Sequence, residues 1–93
     1  MKRLLITLLT IIPLLSFGQA KKLYRKAMRS TDLNQKIELL TQVIDLEPKN
    51  LDAYFHRGIA KNDLGNYHAA IVDYSKIIVE EPDADTYYNR GNS

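Results

Sequence analysis

Residues 51–82 read LDAYFHRGIAKNDLGNYHAAIVDYSKIIVEEP, and this stretch decides the fold. A helix is expected from about Asp52 to Leu64, closed by Gly65, whose freedom at positive φ suits a helix C-terminus. Gly65-Asn66 is the turn. A second helix, Tyr67 to Glu80, carries Ala70, Ile71, Tyr74, Ile77 and Ile78 at helical spacing, and Pro82 stops it. The unit is a helical hairpin with no strand signal in it.

The hairpin is also a repeat. Leu33, Ile37, Leu40, Val43, Ile44, Glu47 and Pro48 are answered 34 residues later by Tyr67, Ile71, Tyr74, Ile77, Ile78, Glu81 and Pro82. A second echo sets Tyr54-Phe55-His56-Arg57-Gly58 against Tyr87-Tyr88-Asn89-Arg90-Gly91 at a period of 33, because the loop after Pro82 is shorter by one residue. A period of this length marks stacked supersecondary units that cannot bury their apolar faces alone.

Working outward, Leu23, Tyr24, Ala27 and Met28 form one apolar stripe of a helix over 19–30, with Lys21, Lys22, Arg25, Lys26 and Arg29 outside it. Thr31-Asp32 end that helix. Asp32 and Gln35 have capping-box spacing and open the next helix, whose Ile37, Leu40, Val43 and Ile44 recur at three and four until Pro48. A further helix is expected to begin near Asp85. It is cut off at Ser93, so part of the Ile71, Tyr74, Ile78 surface is expected to lie in water unless another element covers it. Two readings follow: a longer natural product, or a homo-oligomer formed through the incomplete C-terminal helix.

Before this domain, Lys2-Arg3 precede an apolar run from Leu4 to Leu15, followed by the small residues Ser16, Gly18 and Ala20. That order matches a secretory signal peptide. A spanning helix needs about 20 apolar residues, and this run stops short. Cleavage after Gly18 is preferred, with Ala20 as the other candidate; the alternative is an uncleaved membrane anchor. The 93-residue chain has 13 Lys and Arg, two of them in the leader, so the other 11 balance 11 Asp and Glu. Cys is absent, which excludes disulfides, thiolate metal sites and cysteine nucleophiles.

Tyr54, Gly58, Leu64-Gly65-Asn66-Tyr67, Ala70, Ile71, Tyr74, Ile77 and Pro82 together resemble the tetratricopeptide repeat. The resemblance implies an all-α solenoid of tandem antiparallel helical hairpins, with about two repeats and the start of a third. It divides the chain into a signal peptide over 1–18 (possibly to 20), a divergent first hairpin over 19–50, a complete repeat over 51–84 and a truncated repeat over 85–93. In that family the small pair, here Gly58 and Ala70, lets the two helices of a repeat approach closely. Tyr24 and Lys36 stand at those places in the first hairpin, which is therefore expected to be wider unless both side chains swing outward.

Nothing in the sequence assembles chemistry. His56 and His68 lie on different helices without metal spacing, no Gly-rich phosphate loop follows a strand, and Ser30 and Ser75 have no base beside them. Asp63 and Asp73, like Glu80 and Glu81, read as solvated surface. The chain is thus expected to be no enzyme and to need no cofactor or metal. The resemblance implies a scaffold that binds a protein or peptide on its concave face. Phe55, His56, Ile59, Asn62 and Asp63 would line that face in the complete repeat, and Lys21, Lys22, Arg25 and Arg29 in the first. A basic rim favours an acidic peptide. The pattern departs from the carboxylate-gripping subset of the family, since Arg25 and His56 replace asparagines and Asp85 replaces a lysine. Contact with anionic lipid is expected only with an uncleaved leader, and nucleic acid is not expected as a partner. The site of action is periplasmic or secreted. The alternative function is the N-terminal regulatory or recruiting part of a larger envelope sensor or enzyme.

Overall fold

The computed structural model describes residues 18–82, so the leader, the segment from Asp83 to Ser93 and the expectations placed on them lie outside the described residues. Four α-helices and no strand occur among the described residues. We label them α1 (18–29), α2 (Leu33–Leu46), α3 (Leu51–Asp63) and α4 (Tyr67–Glu80). Links of three, four and three residues join them. In sequence order α2 packs on α3 and α3 on α4, an arrangement compatible with helical hairpins.

Each boundary has a local cause. Asp32 caps α2, its carboxylate accepting from the Asn34 and Gln35 backbone N–H groups at 2.9 and 3.2 Å. Gln35 reaches back, but its side-chain oxygen accepts from the Ser30 hydroxyl at 2.9 Å, which ties the end of α1 to the start of α2. Pro48 follows the last turn of α2, and Asn50 caps α3 by accepting from the Ala53 N–H at 3.0 Å. The end of α3 is a Schellman motif: Gly65 sits at φ +83°, its N–H donates to the Asn62 carbonyl, and the Asn66 N–H donates to that of Lys61. Without a Cβ, glycine enters that left-handed region free of steric penalty.

The core is continuous from α1 to α3. Ala20 and Ala27 of α1 are fully buried against Leu39, Leu40, Val43 and Ile44 of α2 and Ala53 of α3, with Leu23, Tyr24, Met28, Leu46 and Tyr54 packed around them. Two alanines thus provide the α1 contribution that a small pair at Tyr24 and Lys36 does not. Tyr24 meets His56 of α3 edge-on, ring centroids 6.0 Å apart.

In the second pair of helices the small residue Gly58 makes room for one side chain. A Cβ built on Gly58 would lie 2.5 Å from a Tyr74 ring carbon. Tyr74, part of the surface expected to lie in water unless covered, is only 1% exposed; it packs into the groove at Gly58, and the Phe55 ring lies 6.3 Å away. Ile71 and Ile78 are half-buried.

Candidate functional site

At about 100° per residue, Phe55, Ile59 and Asn62 share one side of α3, with Asp63 and His56 about 80–100° round from Phe55. Phe55, His56, Ile59 and Asn62 are half-buried and Asp63 is exposed. His56 is held between two rings, Tyr24 of α1 and Phe55, with the Phe55 centroid at 5.5 Å. Burial pushes its imidazole below the ordinary value, Asp52 pulls it back up, and the Lys36 ammonium pushes it down again. The Tyr24 phenol is raised, first by burial and then by the Asp52 carboxylate. Tyr24, Asp52 and His56 therefore form one neighbourhood at the α1–α3 seam.

The expected partner-binding cations are divided between that seam and the far side of α1. Lys21, Lys22, Arg25 and Arg29 are all exposed. On the same helical count, Lys22 and Arg29 lie roughly opposite the buried Ala20–Ala27 line, at about 160–200° from Ala20, whereas Lys21 and Arg25 lie about 60° and 100° from Tyr24, on one side of it. Lys21 enters a cavity of about 290 Å³ with Ala20, Tyr24, Glu47, Asn50 and Asp52. The α1 wall of the seam is basic, and the α3 wall carries Asp52 and Asp63. Sequence reading placed the cations and Asp63 on the face and missed Glu47 of the α2–α3 link and Asp52 of the first turn of α3. The Asn62 side-chain oxygen is buried without a hydrogen-bond partner among the described residues.

A second polar cluster lies on the other side of α3. Asp73 of α4, read from sequence as solvated surface, is 1% exposed. The Arg57 Nε and Nη2 donate to its two oxygens at 2.9 and 2.7 Å, and the Lys61 Nζ lies 3.0 Å away. Arg57 also donates through Nη1 to the Thr41 hydroxyl of α2 at 3.1 Å, and that hydroxyl donates to the Ile37 carbonyl at 2.7 Å. The guanidinium is held above its ordinary value, chiefly by the bonds to Asp73, and it stands 5.5 Å over the Tyr54 ring. A buried carboxylate needs such partners. The spacing did carry a signal: Asp73 falls in the stripe Ala70, Tyr74, Ile77, where a polar residue must find a partner.

No family model matches the chain, and no solved structure matches it at a significant level.

Proposed function

We propose that this chain is a non-catalytic interaction scaffold of the tetratricopeptide type, exported from the cytoplasm, that holds a protein or peptide partner on the face shared by α1 and α3. The observation that carries the reading is the row of half-buried apolar and aromatic groups along that face: Tyr24, Phe55, His56 and Ile59. Such groups, partly covered and edged by charges, gain most from a partner that completes their burial. The 34-residue period supports a stacked array, α1–α2 and α3–α4 being its successive units. The seating of Tyr74 against Gly58 supports the close approach that such a unit needs.

Export rests on the order of charges, apolar run and small residues before residue 19. Ala20 favours the earlier of the two cleavage points. Its side chain is fully buried in the α1–α2 core, so a cut after Gly18 keeps the core whole and a cut after Ala20 removes part of it.

A peptide library selected on the wild-type chain and on the double variant Phe55→Ala/Ile59→Ala tests the binding face. The expected result is a set of peptides that lose at least tenfold in affinity on the variant, about 1.4 kcal/mol, while helicity by circular dichroism is unchanged. Peptides that bind both proteins equally would place the partner elsewhere. Equal loss of helicity would assign Phe55 and Ile59 to the core.

A further inference from the structure

The cavity at the end of the α1–α3 seam has a chemistry of its own. Its walls are Ala20, Lys21 and Tyr24 of α1, Glu47 and Asn50 of the α2–α3 link, and Asp52 of α3. At about 290 Å³ it is just below the range of small-molecule sites, roughly 300–1,000 Å³, and suits one side chain. Two carboxylates face one ammonium across it. Glu47 is partly engaged, one oxygen accepting from the Asn50 amide at 2.9 Å. Asp52 makes no hydrogen bond or ion pair among the described residues, and Lys21, although it shares the cavity, lies beyond ion-pair distance of both carboxylates. Tyr24 lines the cavity with Asp52, and the Asp52 charge adds to the raising of the Tyr24 phenol.

We propose that this cavity receives a lysine or arginine side chain of the polypeptide bound on the α1–α3 face. The inference rests on the scaffold reading and gives its partner a chemistry, a basic residue in place of the acidic one suggested by the cations of α1. An incoming guanidinium or ammonium would pair with Asp52 and the free oxygen of Glu47, and its methylene stem would lie against the Tyr24 ring and bury apolar surface there. A carboxylate entering the same space would meet two carboxylates and one ammonium. Lys21 competes with the incoming cation and weakens its binding.

The test is an amide chemical-shift titration of the 93-residue chain at about pH 7.5, where His56 is neutral. The probes are three blocked tripeptides, with arginine, its neutral isostere citrulline, or glutamate between alanines. Arginine is expected to shift the Lys21, Tyr24, Asn50 and Asp52 amides saturably, and the other two are not. Asp52→Asn should weaken the arginine peptide about three- to fivefold, as loss of an exposed ion pair does. Lys21→Ala should tighten it, a readout that stands even if the Asp52 variant folds poorly. Absence of saturable shifts, equal binding of citrulline, preference for glutamate, or arginine binding indifferent to both substitutions would overturn the inference. The two readings fail separately. If only this one is wrong, library peptides still need Phe55 and Ile59 but carry no basic residue. If only the scaffold reading is wrong, the arginine tripeptide still titrates while library peptides ignore those two positions.

Discussion

A single methyl group at Gly58 would stand 2.5 Å from a Tyr74 ring carbon, with two more ring carbons within 3.1 Å. The ring is 1% exposed and lies beside Phe55, so something in the packed core must shift. Gly58→Ala is therefore expected to lower stability by about 1–3 kcal/mol, the range for overpacking a filled core, although alanine is the better helix former. Denaturant unfolding measures it, and a destabilisation below the lower bound would mean that the ring has somewhere to go. Asp73 gives the opposite case, a side chain whose removal leaves others stranded. Arg57 and Lys61 keep 15% and 18% of their side-chain surface exposed, so water relieves part of the loss. Asp73→Ala is expected to cost about 3 kcal/mol, the low end for breaking a buried pair. In the Thr41→Val background the Arg57 contribution should change, because the two sites share one guanidinium. Strict additivity in that double-mutant cycle would argue against a shared network.

At the scale of the helix, the three N-termini differ in a way that can be measured. Asp32 and Asn50 accept backbone N–H bonds with their side chains, and Asn66 at the start of α4 makes no such bond. Alanine at either of the first two is expected to lower stability by about 1 kcal/mol, and Asn66→Ala by much less. A thermal melt of the three variants distinguishes them; equal shifts would mean that α4 relies on its first residue as the others do. The helices themselves were readable from sequence because each stop is chemical and local: Pro48 and Pro82 after the last turns, Gly65 at positive φ, Asp32 at a cap. What joins the helices was less readable. Arg57 and Asp73 lie sixteen residues apart on different helices, and no local spacing announces their bond. The same holds at the seam, where Tyr24 comes from α1, Lys36 from α2 and Asp52 from the first turn of α3. Their convergence depends on packing between helices, whereas Phe55, His56 and Ile59 follow from the face of one helix.

For the molecule as a whole, His56 couples the seam to pH. Burial holds its imidazole below the ordinary value of about 6.5, so as pH falls the unfolded chain takes up that proton before the folded one. Stability is therefore lost as pH drops below about 6.5, and this contribution to the loss ends once pH passes the lower folded value. His56→Gln should flatten that part of a plot of denaturation midpoint against pH and leave the carboxylate region at lower pH in place. A slope unchanged by the substitution would assign it to another group. Lys21 of α1 and Asp52 of α3 line one cavity at this seam, so its electrostatics change sign along a short distance and salt should weaken them.

Arg57 holds a carboxylate on α4 with one edge of its guanidinium and a hydroxyl on α2 with the other. Repeat proteins ordinarily behave as beads on a string, each opening at a free energy set by its neighbours. Here, peeling α4 away would strand a cation that α2 also needs, so α2, α3 and α4 gain little by opening one at a time. In native-state hydrogen exchange their slowest amides should share one opening free energy, while α1, held to α2 by apolar contacts and the Ser30–Gln35 bond, is released at a lower one. Among the described residues, α2, α3 and α4 would then open as one cooperative block, with α1 as the part released first.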